Sequence, residues 1–346
     1  MHQIDLHYGL RYENTPARFR FLGRSTGDHA NWAAAFRPVL QKTLGLEQIR
    51  RDLAEHEPNA QMISSEDLGT YTRETWHLAV EPSVRIPFYY LHPKGTTGLL
   101  PLVVTPHGHN PPYFYVGIAN NDAERERLRA QGNDVALQAV KRGYAVLAPT
   151  ARGFGETRTE EDIAQNALSS CQVESLRNLL IGRTLMGERV WDTMRLIDWA
   201  ATREEIDTSR IAITGNSGGG ATSLFTAACD ERISVVVPSS YFCTFQGSIG
   251  SISHCACNYV PGVLQLGEMY DIAGLIAPRS FRAIAGVQDP IFPIDQVRRS
   301  FEHLRRIYAA AGSPDNCDLY EADGGHRYYE EASWPFIAEH IGLAQL

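Results

Sequence analysis

The chain has 346 residues, a formal net charge of −8 and no Lys/Arg run along a helix or loop, which excludes binding that depends on neutralising nucleic-acid phosphates. No apolar stretch approaches the ~20 residues of a bilayer-spanning helix, so no membrane partner is expected. Met1 to Tyr8 lacks the basic-then-apolar texture of a leader, and six cysteines are scattered through a long chain, which together point to reduced thiols in the cytoplasm.

In chain order, residues 1–68 read as an N-terminal helical extension packed on a main domain that spans 69–346. Asp28 or Asn31 is placed to cap a helix carrying Trp32, Phe36, Val39, Leu40 and Leu44. Gly45 ends that helix, Pro38 threatens to kink it, and Leu46 to Glu57 restarts a second. From Tyr71 the texture turns to strands: Tyr71 to Val80 and Arg85 to Leu91 as an antiparallel edge pair, then Leu99 to Thr105 as a buried apolar run. Strands and helices then alternate: helix Asp134 to Arg142, strand Tyr144 to Ala148, helix Gly187 to Ala201, strand Ile211 to Thr214 and a helix after Ser217. Strands Ile233 to Val237 and Phe281 to Gly286 follow, then helix Asp295 to Ala310, strand Cys317 to Glu321 and a last helix from Ser333. Such alternation implies an α/β class with a mostly parallel central sheet flanked by helices. Residues 239–271 break the rhythm and read as an insertion over the carboxyl edge of the sheet, where binding sites form.

The sharpest signal is Gly215-Asn216-Ser217-Gly218-Gly219, a G-x-S-x-G between a β-branched strand and a small-residue helix. There a serine sits on a strained turn with its hydroxyl exposed, and glycines are needed because a Cβ would clash with strand and helix. A serine hydroxyl needs a base, and the base needs an orienting carboxylate. On such an elbow the partners follow in the order acid, then histidine. Asp289 stands at the end of strand Phe281 to Gly286, and His326 on the loop after the next strand. Rival acids are Asp323, which fits a turn, and Asp295, which fits a helix start. Among rival bases, His254 precedes Asp289, and His303 and His340 fall within helices. The developing oxyanion needs donors: the N–H of Gly218 is one, and the loop His107-Gly108-His109 is placed to supply the other, from His109 with Gly108 as the alternative.

His254-Cys255-Ala256-Cys257 has the look of a metal cluster, yet zinc sites usually separate paired cysteines further and need a second ligand pair. None is evident in the sequence, so a pocket-lining loop is expected and no metal. Tyr241, Phe242, Phe245 and Tyr259 could stack on a sugar ring or simply fill core.

With His107-Gly108-His109, Ala151-Arg152-Gly153-Phe154-Gly155-Glu156, the elbow, Gly286-Val287-Gln288-Asp289 and Gly325-His326 in hand, the chain resembles the α/β-hydrolases of the dienelactone hydrolase and acetyl xylan esterase-like group. That group is related to the prolyl oligopeptidase catalytic domain. The resemblance implies an α/β-hydrolase fold over residues 69–346 and a serine esterase that removes small acyl groups, such as acetyl, from a sugar or similar polyol. No organic or metal cofactor is implied. Arg152-Gly153 matches the pair that braces the site in acetyl esterases of this type, and Tyr241 and His254 are expected to support substrate. Phe154 and Gly218 depart from the cephalosporin-deacetylating subfamily, which carries glutamine at both places. Ser217 departs from the cysteine of dienelactone hydrolases. An amidase or peptidase would use the same residues, and a binding protein on this fold is the non-enzymatic alternative; homo-oligomer formation stays open.

Overall fold

The computed structural model describes residues 3–343; the first two residues of the expected N-terminal region and the last three of the main domain lie outside the described residues. Nine strands form one sheet: β1 (Asn59–Asp67), β2 (Tyr71–Glu81), β3 (Val84–Pro93), β4 (Leu100–Val104), β5 (Ala145–Pro149), β6 (Ile206–Asn216), β7 (Val235–Ser239), β8 (Ser280–Gly286) and β9 (Cys317–Ala322). Their order across the sheet is β1-β2-β3-β5-β4-β6-β7-β8-β9. The pairs from β1 to β5 are antiparallel and those from β5 to β9 are parallel.

The parallel strands bury both faces, and period-two alternation deals their side chains into two separate cores. Leu102, Val104, Ile211, Ile213 and Val236 face one layer with helices Thr26–Leu44, Leu185–Ala200, Gly218–Cys229 and Ile294–Ala310. Val103, Ala212, Val235 and Val237 face the other, against helices Val135–Val140 and Glu330–Ile341. The expected α/β-hydrolase architecture is therefore present. The strand at Ile211 starts earlier than expected, at Ile206, because Ile206 and Asp207 pair with Leu100 and Pro101.

Three expectations need correction. The expected edge pair, β2 and β3, is not at the edge: Asn59–Asp67, assigned to the helical extension, forms the outer strand β1. Its almost wholly exposed residues carry no hydrophobic alternation that would announce a strand. The cap of helix Thr26–Leu44 is Ser25 rather than Asp28 or Asn31. The Ser25 hydroxyl accepts the Asp28 N–H at 3.2 Å and the Asp28 carboxylate accepts the Ser25 N–H at 3.0 Å, a reciprocal capping box. The helix runs through Pro38 and ends at Gly45, which takes a left-handed φ of 88°.

The N-terminal helices share the main core: Phe36, Leu40, Leu44, Leu46 and Ile49 are fully buried in it. Contact there is backbone-close. Thr184 donates to Leu44 O at 2.8 Å, and a Cβ on Gly187 would lie 1.9 Å from that oxygen. Further upstream, Arg18 and Phe19 N–H groups bond to Gln265 O and Leu266 O, and the Phe21 N–H bonds to Asp271 Oδ1 at 3.0 Å. The N-terminal segment thus straps the far end of the insertion that borders the site.

Candidate active site

β6 delivers Ser217 at its carboxyl end and helix Gly218–Cys229 leaves immediately, so the turn must be sharp. Ser217 adopts φ 57°, ψ −118°, backbone that L side chains rarely take, and its N–H is held by Ser239 O at 2.9 Å. The glycines are required as expected: a Cβ on Gly215 would lie 2.3 Å from Pro106 O, and one on Gly219 would lie 2.0 Å from the same oxygen.

β8 ends in the turn that carries Asp289, and the loop after β9 carries His326, whose Nδ1 lies 2.7 Å from Asp289 Oδ2. The other carboxylate oxygen of Asp289 accepts the N–H groups of Ile291 at 3.0 Å and Phe292 at 3.2 Å. The Asp289 side chain is fully buried, whereas His326 remains partly exposed at the cavity. The Phe292 ring stacks on the imidazole at 5.8 Å. His326 Nε2 has no hydrogen-bond partner among the described residues, and His326 and Ser217 line one cavity.

That cavity, ≈ 300 Å³, is where the three loops converge. His109, Asn110, Ser217, Gly218, Tyr241 and His254 also line it. The His109 ring covers Gly218, with Nδ1 3.2 Å from where a Gly218 Cβ would stand, and a Cβ on Gly108 would meet Asn216 O at 2.7 Å. The His107–His109 loop and the elbow are therefore in close contact, with the N–H of Gly218 at a helix N-terminus where anions are favoured. Among the described residues, the buried oxygens Asn110 Oδ1, Asn216 Oδ1 and Tyr241 OH lack protein partners.

The remaining candidates divide clearly. His107 is buried away from the reacting groups: its Nδ1 donates to Gly108 O at 2.7 Å and its Nε2 accepts the Ala151 N–H at 3.0 Å. Burial lowers its pKa to about 4, so it is a neutral brace between two loops. Arg152 does not line the cavity but anchors a buried ionic cluster. It grips Asp192 with Nε and Nη2, both at 2.8 Å, and contacts Glu81 and Glu188 at 2.5 and 3.2 Å. Arg183 joins from the other side through Glu81 and Asp52. Burial pushes Asp192 up to about 6 against the pull of Arg152. Gly153, at φ 83°, lies beside Glu174, whose carboxyl burial raises to about 8.

His254 lines the cavity, but its Nε2 bonds to Ser248 Oγ at 3.0 Å and its ring packs on Phe292. Burial lowers its pKa. Among the rivals, Asp323 bonds to Gln288, Asp295 to Gln296, His303 stacks on Tyr270 and His340 bonds to Phe336 O. Tyr241, Phe242 and Phe245 are buried, so core packing claims them; Tyr259, half exposed, is free to meet a ligand.

Sequence reading missed one assembly. No second ligand pair was apparent for Cys255 and Cys257, yet the fold brings Cys171 and His109 to them, and it is His109 rather than His254 that joins. Cys171 is 84 residues before Cys255, and no local spacing signals that meeting.

The chain is 28% identical over 279 residues to a Bacillus subtilis (strain 168) protein named "Putative hydrolase YtaP", covering 78% of this chain and 89% of that one. Among solved structures it resembles a "putative acetyl xylan esterase" from Bacteroides fragilis NCTC 9343, with TM-score 0.75, 22% identity and coverage of 94% of this chain and 82% of that one. It also resembles Methylesterase BT1017, with TM-score 0.71, 19% identity and coverage of 97% and 68%. The acetyl xylan esterase (AXE1) family model matches residues 47–256, a stretch that includes the elbow and ends before Asp289 and His326. Since that match takes in most of the chain, the chain belongs to the acetyl xylan esterase family of ester hydrolases.

Proposed function

We propose that this protein removes small acyl groups, acetyl foremost, from a sugar or similar polyol through an acyl-enzyme on Ser217. The observation that carries this reading is the buried Asp289 joined at 2.7 Å to the partly exposed His326, which lines the same cavity as the strained Ser217.

His326 Nε2 takes the Ser217 proton as Oγ attacks the ester carbonyl, and Asp289 holds Nδ1–H and stabilises the imidazolium. The N–H groups of Gly218 and His109 receive the oxyanion, an interaction commonly worth ~3–4 kcal/mol per donor in the transition state. Collapse of the tetrahedral species breaks the C–O bond, and His326 passes the proton to the departing alcohol. Water then attacks the acyl-enzyme by the same route, releasing the acid and restoring Ser217. No step needs a metal or organic cofactor.

A ≈ 300 Å³ cavity suits a small acyl group. A neighbouring groove of ≈ 660 Å³ shares His254 and Cys255 with it and carries the exposed Tyr259, which supports a larger alcohol lying alongside. The unpartnered Asn110 and Asn216 oxygens, on residues that line the cavity, are acceptors that sugar hydroxyls could satisfy. The six free cysteines support, within the same proposal, action in a reducing compartment such as the cytoplasm.

The test is turnover of p-nitrophenyl acetate against longer-chain esters and acetylated xylo-oligosaccharides, with Ser217→Ala as control. Turnover should fall with acyl length and drop by at least about 10⁴-fold in the variant. Comparable activity in a folded Ser217→Ala protein would sink the assignment.

A further inference from the structure

Beside the proposed reaction centre, His109, Cys171, Cys255 and Cys257 bring one ring nitrogen and three sulfurs within 4.8 Å of one another. They come from three segments far apart in the chain: the loop after β4, the first residue of helix Cys171–Leu180, and the insertion. His109 Nε2 lies 3.4 Å from Cys257 Sγ. An ion at the centre of a tetrahedron, with Zn–N near 2.0–2.1 Å and Zn–S near 2.3 Å, sets N to S edges of about 3.6 Å and S to S edges of about 3.8 Å. The cluster is already near those dimensions, and all three cysteines are free thiols.

The charge around the cluster points the same way. Arg189 is 3% exposed on helix Leu185–Ala200, and its hydrogen bonds go to Arg152 O and, at 3.1 Å, to Cys171 Sγ. Among the described residues no carboxylate pairs with it within 4.0 Å, unlike its neighbours Arg152 and Arg183. A buried guanidinium without an anion is costly. Zn²⁺ bound by three thiolates and a neutral imidazole carries one net negative charge, which is the counter-charge Arg189 lacks.

We propose that His109, Cys171, Cys255 and Cys257 form a structural zinc site. On binding, the three thiols release their protons to solvent and each sulfur donates a lone pair to the metal. All four positions are filled by the protein, so the ion takes no part in hydrolysis. Its work is mechanical. It clamps the insertion and helix Cys171–Leu180 to the loop whose backbone holds His109, and so fixes the N–H proposed as the second oxyanion donor; that last consequence rests on the function proposed above. Cys255, the one cysteine of the three that is not buried, borders both the groove and the cavity and gives the metal its way in.

The experiment is elemental analysis of the full-length protein, purified reduced and without chelator, together with cobalt replacement. About one equivalent of zinc per chain is expected, with Cys255→Ser and Cys257→Ser each reducing it severalfold. Cobalt(II) added to the demetallated wild-type protein should give thiolate-to-cobalt charge-transfer bands and the strong visible bands of a tetrahedral site. Substoichiometric zinc with no cobalt–thiolate band overturns the proposal, as does a disulfide among the three cysteines that persists in freshly prepared protein. If a variant fails to fold, the wild-type cobalt spectrum still decides. Metal content is read without substrate, so zinc binding with no esterase activity would refute the proposed reaction and leave the site standing.

Discussion

Asp289→Asn tests the proposed reaction centre at its most determinate point. In the native protein Oδ1 of Asp289 accepts the Ile291 and Phe292 N–H groups at 3.0 and 3.2 Å, while Oδ2 faces His326 Nδ1 at 2.7 Å. An asparagine keeps both backbone bonds only with its carbonyl at the Oδ1 place, which points its NH₂ at Nδ1. Nδ1 must then be the unprotonated nitrogen, the ring proton moves to Nε2, and His326 can no longer accept the Ser217 proton. Flipping the amide sacrifices two hydrogen bonds at about 1 kcal/mol each, so the working tautomer is held to a few per cent. The imidazolium also loses its counter-charge. Together these effects should lower kcat by about 10⁴, or roughly 5.4 kcal/mol of transition-state stabilisation, with KM little changed. Steady-state hydrolysis of p-nitrophenyl acetate measures the loss, and ¹⁵N chemical shifts of His326 report the tautomer. A folded variant within about tenfold of wild type, or one whose Nδ1 remains protonated, refutes the reasoning. Asp323→Asn, on a side chain bonded to Gln288 instead, should leave kcat unchanged.

Arg152→Met removes the cation held at 2.8 Å by both oxygens of Asp192 and strands that buried carboxylate. A loss of about 3–5 kcal/mol is expected in urea unfolding, and a loss below about 1 kcal/mol would mean that water or Arg183 takes over. Burial raises Asp271 to about 6. Its folded pKa lies above the unfolded value near 4, so its contribution to stability is complete below about pH 4 and is lost as pH rises through 6. Wild type should therefore lose stability relative to Asp271→Asn by on the order of 2–3 kcal/mol between pH 4 and 7. Thermal unfolding of the two proteins across that range checks the sign, and a constant difference would contradict it.

What could be read in advance follows from range of interaction. Ser217 is legible because strand, turn and helix chemistry are packed into one short stretch, and Asp289 and His326 because each directly ends a strong strand signal. Boundaries drifted where tertiary pairing extends a strand beyond its apolar run, as at Ile206 and Asp207 against Leu100 and Pro101. β1 was unreadable because it is exposed and polar, held by pairing with β2 rather than by a buried face. Helix Cys171–Leu180 went unassigned, and with it the meeting of Cys171 with Cys255, which no periodicity encodes. The resemblance implies that Arg152 braces the site; its place in a buried ionic cluster with Asp192, Glu81 and Glu188 depends on three separate segments converging, which no local pattern encodes.

The backbone angles at Ser217 carry a consequence for descent as well as for chemistry. At φ 57°, ψ −118° a glycine would sit with less strain than any other residue, by about 1–3 kcal/mol. Replacing serine by glycine relieves that strain in the same step that deletes the hydroxyl. On the proposed reaction, selection for a sturdy fold alone would thus erase the nucleophile. A side chain would persist at this position only while the proposed turnover opposes that pull.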